Sequence, residues 1–164
     1  MRWESVLSSA GNEIYHLYKG DKRLLVLTLN SFSNAARVEC EKQKRIFFIR
    51  KEGFLRNKTV LLNEYGIKIG ESGQDNNDNF IAINEEKFYY TSNEKPDEEL
   101  IFYSDSKANP IVTCNVTVKN GNQGVKFEKN KKLSETSHPG LLMALCWYLF
   151  LPATKEIQNV VEAI

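Results

Sequence analysis

The chain has 164 residues, of which 41% are hydrophobic and 26% are charged, and its formal net charge is +1. This length suits one domain, residues 1–164, with a sizeable core, and the near-neutral charge argues against a protein that mainly coats nucleic acid. Three cysteines, Cys40, Cys114 and Cys146, lie far apart in the sequence. Their number and spacing predict neither a disulfide framework nor a cysteine metal site, and favour a reducing, cytoplasmic location. No leader peptide is expected.

Short strand-like runs separated by turns fill the first 130 residues. The segment "EIYHLYKGDKRLLVLTL" predicts a hairpin that turns at Gly20 and Asp21. "RIFFIRK" and "KTVLLNEYGIKIGE" follow, with a reversal at 64–66, and "NFIAINEEKFYY" turns at 84–86. About nine or ten strands at this spacing, without a long helical pattern among them, predict a mainly β, antiparallel sandwich or barrel.

The later strands show the clearest alternation. Val112, Cys114, Val116 and Val118 alternate with polar residues, which predicts one face in a core and one in water. Two polar tracts, 70–79 and 91–99, are predicted to be exposed loops.

An apolar helix is predicted near the C-terminus, over about 138–151. Ser137 is the expected N-cap, Pro139 falls in the first turn, and Pro152 is expected to end the helix. Leu141 to Leu151 is apolar throughout, but it gives only about 16 Å of helix, whereas a bilayer core needs about 30 Å. A helix without a polar face belongs in a core, so we expect it inside the sheet, with 153–164 as a short helix or tail and no transmembrane segment.

Two other barrels could carry a helix. A lipocalin-like barrel is hollow and holds a ligand, with its helix outside the barrel, and a PH-like barrel is capped by an amphipathic helix. Both arrangements require a helix with a polar face. Leu141 to Leu151 has none, so a closed antiparallel β-barrel around a buried C-terminal helix is favoured.

This combination of many antiparallel strands and one apolar C-terminal helix resembles the tubby C-terminal-like superfamily, which includes the tubby domain, the plant LURP-one-related proteins and the phospholipid scramblases. The segment "FFIRKEGFLRNKTVLLNEYGIKIGES", 47–72, is similar to the recurring strand unit of that superfamily. The resemblance implies a closed barrel wrapped around the helix, and the tubby domain's binding of phosphoinositide head groups implies a basic surface. The calcium-binding segment of the scramblases has no counterpart, because "KNKKLSETSHPG" is basic there.

No pattern of catalysis or cofactor binding is present. The sequence lacks nucleotide-binding, zinc-protease and hydrolase motifs, and His16 and His138 are expected to be ordinary side chains. Asp75, Asn77, Asn79 and Glu86 match positions of a calcium loop, but Phe80 stands where that loop needs glycine. We therefore expect a protein that is not an enzyme and needs neither a metal nor a cofactor.

Basic residues are the remaining candidates for a binding site. Residues 1–68 contain 13 basic and 7 acidic side chains, whereas 69–110 contain 3 and 10. Lysine and arginine bind phosphate through charge-assisted hydrogen bonds. The candidate residues for binding anionic lipid are Lys42, Lys44, Arg45, Arg50, Lys51, Arg56 and Lys58, with a second basic group in "KFEKNKK".

The sequence thus predicts a binding domain that recognises anionic phospholipid or phosphoinositide head groups, peripheral to a membrane. One alternative is a protein-interaction or scaffold module that uses the acidic 70–99 region or an exposed strand edge. A further alternative is a hollow barrel that carries a small apolar ligand. A scatter of charged outer faces that only keeps the strands soluble would also explain the basic residues.

Overall fold

In the computed structural model, the described backbone comprises residues 1–9, 11–30, 32–33, 35–42, 44–52, 58–93, 99–104, 108–119 and 122–162. The described side chains are those of the same residues apart from 8, 93, 116–119, 122–127 and 152–162. Twelve strands, a 3₁₀ helix (Lys131–Glu135) and one α-helix are found in this part of the chain: β1 (Arg2–Ser9), β2 (Asn12–Lys19), β3 (Lys22–Asn30), β4 (Ala35–Cys40), β5 (Arg45–Glu52), β6 (Lys58–Asn63), β7 (Lys68–Asp75), β8 (Asp78–Ile83), β9 (Glu86–Asn93), β10 (Glu99–Tyr103), β11 (Val112–Lys119), β12 (Asn122–Lys129) and α1 (Pro139–Glu162).

Each strand pairs antiparallel with the next, so the twelve strands form one sheet in chain order. The mainly β, antiparallel prediction is confirmed. The hydrogen-bonded ladder is not closed, because β1 and β12 are its two edges, although parts of these strands come within 8 Å of each other. The closed barrel is therefore not confirmed.

The core lies between the inner face of the sheet and α1. Alternate residues of the strands are buried, among them Leu17, Leu27 and Phe47, as the period of two requires. They form one cluster with the described buried side chains of α1, Leu141 to Leu151. The helix contacts β3, β4, β10 and β11, strands from both halves of the sheet, so the sheet curves around it and the predicted burial of the helix is confirmed.

The ends of α1 differ from the prediction. The helix begins at Pro139, and the carbonyl of His138 accepts the Leu142 amide at 3.0 Å, so His138 and not Ser137 holds the N-cap position. The helix also continues through Pro152 to Glu162. Proline removes one hydrogen bond, but its fixed φ is itself helical, which lets a helix continue where that bond is lost. Among the described residues, no helix combines the length and apolar character that a membrane span requires.

Two strands and one hairpin were missed by the sequence interpretation. β1 has a polar sequence and β4 is short, so neither stands out by hydrophobicity. The tract 70–79 was predicted to be a loop, but β7 and β8 extend through it and leave only Asn76 and Asn77 as the turn. Both have positive φ, which asparagine tolerates and which suits a two-residue hairpin turn. Of the predicted loop 91–99, residues 94–98 lie outside the described residues.

Alternate turns of an antiparallel meander lie at the same end of the sheet. One end, here called the helix-start end, carries the turns β2–β3, β4–β5, β6–β7 and β8–β9 together with the segment that leads from β12 into α1. The β7–β8 turn and the end of β5 lie at the opposite end.

Candidate functional site

The predicted basic residues do not form one patch. Lys42, Lys44 and Arg45 lie at the helix-start end, in or next to the β4–β5 turn. Lys51 and Lys58 lie at the opposite end. Lys51 is six residues after Arg45 along β5, which corresponds to about 20 Å. Lys58 is the first residue of β6, which pairs antiparallel with β5. The fold therefore separates the predicted site into two groups. Arg50 is exposed within β5, and Arg56 lies outside the described residues.

Lys51, one of the two lysines at the opposite end, takes part in packing. Lys51 is half-buried, its Nζ donates a hydrogen bond to the Oγ1 of Thr59 at 2.9 Å, and it lies 5.9 Å from the centre of the Tyr148 ring. Burial lowers the pKa of Lys51 because it disfavours the charged form. These contacts pack Lys51 against neighbouring side chains of the fold.

Lys58 is held by an acidic neighbour on the outer face of the sheet. Its Nζ lies 2.6 Å from a carboxylate oxygen of Glu71, which also binds Lys68. Hydrogen bonds from Lys58 and Lys68 lower the pKa of Glu71. Two lysines share one carboxylate here, so both are partly neutralised.

Three neighbouring turns at the helix-start end carry an excess of positive charge. The segments 19–23, 40–45 and 63–68 contain seven basic and three acidic residues. Their basic residues are Lys19, Lys22, Arg23, Lys42, Lys44, Arg45 and Lys68. These residues are here called the basic end, and only Lys42, Lys44 and Arg45 among them were predicted as site residues. The others were missed because they belong to hairpins that are remote in sequence and adjacent only in the sheet.

The arginines of the basic end hold its acidic residues. Arg23 forms an ion pair with Glu41, and Arg45 forms one with Glu64 at 3.6 Å. The Arg45 guanidinium also lies 5.2 Å from the centre of the Phe47 ring. These pairs tie the three turns together and engage two of their three acidic residues.

The lysines of the β4–β5 turn project into solvent. Lys42 and Lys44 are both exposed, and in the part of the chain that the structure describes neither forms an ion pair. Lys19 and Lys22 are also exposed and face each other across the β2–β3 turn. Several ammonium groups close together create a local positive potential, which attracts multivalent anions. Phosphate is one multivalent anion that such lysines can bind.

The β6–β7 turn at this end carries two exposed apolar side chains. Tyr65 is 81% and Ile67 is 60% exposed. The sequence predicted this turn but not the exposure of its two apolar side chains. The available signal was the pattern Tyr-Gly-Ile, because turns between strands usually carry polar residues.

A hydrogen-bonded chain of Glu86, Ser137 and His138 fixes the start of α1. The Ser137 hydroxyl contacts the Glu86 carboxylate and lies 2.9 Å from His138 Nδ1, and His138 is buried with its ring edge-on to Phe47 at 5.5 Å. In a catalytic triad the histidine lies between the carboxylate and the serine. Here the serine lies in the middle, so the geometry serves to anchor the helix.

An acidic and aromatic cleft of about 230 Å³ lies at the opposite end, beside the β7–β8 turn. Asp75, Asp78, Tyr89 and Tyr103 line it together with Asn76. The ammonium of Lys87 lies 2.9 Å from Asp75 and 4.1 Å from the centre of the Phe80 ring. Within the described part of the chain, no group of three or more histidine, cysteine or acidic residues is placed to hold a metal ion.

Comparison with protein-family models, with curated proteins and with solved structures finds no match to this chain.

Proposed function

We propose that the basic end recognises anionic phospholipid head groups, phosphoinositides among them, and that the protein is a non-enzymatic binding domain. The observation that carries the proposal is that Lys42 and Lys44 are exposed and lie next to two further basic turns. The acidic residues Glu41 and Glu64 are engaged by Arg23 and Arg45. The charges of Lys42 and Lys44 therefore face solvent, and neither lysine forms an ion pair within the described part of the chain.

The resemblance to the tubby C-terminal-like superfamily is part of the same proposal. It is supported by the single antiparallel sheet that curves around an apolar C-terminal helix. A closed barrel would require a hydrogen-bonded ladder between β1 and β12. The approach of these edges to within 8 Å is compatible with such a ladder.

The expected effect of the basic end can be stated as a free energy of binding. A lysine close to an anionic membrane surface contributes about 1 kcal/mol. Loss of two lysines should therefore weaken binding by roughly 2 kcal/mol, or about thirtyfold. The attraction should also fall as salt rises, because surface charges are screened.

Co-sedimentation with vesicles tests the proposal. The wild-type chain is compared with the double variant Lys42→Gln/Lys44→Gln on phosphatidylcholine vesicles with and without a phosphoinositide, at low and high salt. The matched control is Arg50→Gln/Lys58→Gln, which removes the same charge away from the basic end. Salt-sensitive binding that only the first variant loses supports the proposal, whereas equal binding to neutral and anionic vesicles contradicts it.

A protein-interaction role is the second candidate, and the acidic and aromatic cleft favours it. Asp75 and the rings of Phe80 and Tyr89 hold the ammonium of Lys87, and this contact supports the proposal that the same kind of surface accepts a cationic side chain of a partner. Calorimetric titration with a lysine- and arginine-rich peptide, compared with Asp75→Asn/Asp78→Asn, tests this role. An unchanged affinity in the variant would exclude the cleft as the binding site.

The hollow-carrier alternative has no support from the interior. Trp147 is 6% and Phe150 is 2% exposed, and both lie in the core cluster with the inner face of the sheet. The helix thus occupies the space that an internal ligand would need.

A further inference from the structure

The β6–β7 turn presents two apolar side chains at the helix-start end. Tyr65 and Ile67 are separated only by Gly66 and are 81% and 60% exposed. Single exposed apolar residues are common on protein surfaces. Two of them on one short turn, at the end of the molecule that also carries the basic turns, form a compact apolar tip.

Hydrogen bonds hold this tip in one shape. The Oδ1 of Asn63 accepts the amides of Tyr65 and Ile67, each at 3.0 Å, and the Asn63 amide donates to the Ile67 carbonyl at 2.9 Å. Gly66 has φ +76°, a conformation that glycine adopts without strain. Because the backbone is already ordered, placing the two side chains in a new environment loses little conformational entropy.

The charges around the tip are asymmetric. Glu64, next to Tyr65, is paired with Arg45, and Lys68, which follows Ile67, is paired with Glu71. The β4–β5 turn with Lys42 and Lys44 lies on one side of the tip, because β5 pairs with β6. On the other side the β8–β9 turn contributes the exposed Glu85. The tip therefore has a positive side that matches an anionic surface.

From these observations we infer that Tyr65 and Ile67 insert into the interfacial layer of an anionic bilayer while the neighbouring lysines bind its head groups. The inference rests on the proposed function and deepens it, since it names the bilayer itself as the partner and the β6–β7 turn as the inserted element. Tyrosine suits the boundary between head groups and acyl chains because its ring is apolar and its hydroxyl is polar. Isoleucine adds apolar area that is removed from water.

Vesicle binding of the variant Tyr65→Ser/Ile67→Ser tests the insertion. We expect its affinity for phosphatidylcholine vesicles that contain phosphatidylserine to fall roughly tenfold, with the salt dependence unchanged because the lysines remain. Phe32→Ser is the matched control, because Phe32 is 77% exposed in the β3–β4 turn at the opposite end. This control should bind as the wild type does.

A second measurement locates the tip relative to the bilayer. The added indole fluorescence of the Tyr65→Trp variant should be quenched by lipids brominated on their acyl chains. The added indole of Phe32→Trp should not be quenched, so this variant should show no more quenching than the wild type, which contains only Trp3 and Trp147. Binding of the soluble head group inositol 1,4,5-trisphosphate should be equal in the wild type and in Tyr65→Ser/Ile67→Ser.

The outcomes separate the two proposals. If the wild type binds anionic vesicles in a salt-sensitive way but the double serine variant binds equally well and the Tyr65→Trp variant is not quenched, the insertion is wrong and the head-group proposal stands. If the wild type does not bind anionic vesicles at all, both proposals are wrong. Self-association of the wild type that the serine variant abolishes, without any change in vesicle binding, would also overturn the insertion by assigning the tip to a second copy of the chain.

Discussion

Trp3 of β1 stacks on Trp147 of α1, with ring centres 5.2 Å apart and an angle of 13° between the planes. Tyr15 of the neighbouring strand meets the same Trp147 edge-on at 5.7 Å. β1 is an edge of the sheet and pairs with β2 alone in the ladder. The Trp3–Trp147 stack therefore joins an edge strand to the interior helix.

We expect Trp3→Ala to lower the free energy of unfolding by about 2 kcal/mol, because the change removes a large, partly buried ring that packs against the core. Urea denaturation followed by circular dichroism measures the loss. Phe32→Ala, at an exposed position, should change stability by less than about 0.5 kcal/mol. Equal stability of the two variants would show that the stack does not hold β1.

Leu145 is fully buried in α1, so Leu145→Asp should unfold the domain by placing an unpaired charge in an apolar interior. The conservative change Leu145→Met should cost less than about 1.5 kcal/mol. Circular dichroism and gel filtration distinguish the two variants. A folded Leu145→Asp protein that has merely lost membrane association would contradict the placement of this helix in the core.

Gly70 lies where β7 passes close to β8. A Cβ at this position would come within 2.2 Å of the Ala82 carbonyl oxygen, which is backbone and cannot turn away. We expect Gly70→Ala to destabilise the fold by about 2–3 kcal/mol through overpacking. At Gly73 the corresponding contact, 2.4 Å, is with the Phe80 ring, which can rotate, so Gly73→Ala should be milder in the same denaturation experiment. The reverse order would contradict this explanation.

The stability of the fold should depend on the protonation of His138. Burial lowers the pKa of His138 below its usual 6.5, Arg45 lowers it further, and Glu86 opposes them. Since the unfolded chain then binds the proton more tightly, the stabilising contribution is present above pH 6.5 and is lost as the pH falls below it. Thermal unfolding between pH 7.5 and 5 should show a fall in Tm.

His138→Asn preserves a residue suited to the N-cap position and should reduce this fall in Tm. His16→Gln, in β2 and away from the helix start, should leave it as in the wild type. An equal fall in the wild type and His138→Asn would rule out His138 as its source.

Much of the fold could be predicted because its strands alternate and its helix is uniformly apolar. The turns at Gly20 and at Asn84 were predicted where the structure has them. β1 was missed because it is an edge strand with Val6 and Leu7 exposed, so burial does not impose a strict alternation on its sequence. The hairpin at Asn76 was predicted to be a loop because its residues are polar, but most of them lie half-buried on two paired strands.

The candidate site was harder to predict because it depends on pairing between hairpins. Lys42 and Lys51 are close in sequence, but β5 carries them to opposite ends of the sheet. Lys22 and Lys68 are distant in sequence, yet they belong to turns at the same end. The end at which a turn lies depends on the number of strands that precede it, and no local sequence pattern gives that number. Because β1 and β4 were missed, the number was wrong.

The location of head-group binding tests the central claim most directly. Amide chemical shifts should be followed by NMR while the protein is titrated with inositol 1,4,5-trisphosphate. We expect the largest changes at Gly20–Arg23, at Lys42 and Lys44, and at Glu64–Lys68, with little change at Lys51, Lys58 or the β7–β8 turn. Changes concentrated at the opposite end, or no changes at all, would contradict the assignment of the basic end as the binding surface.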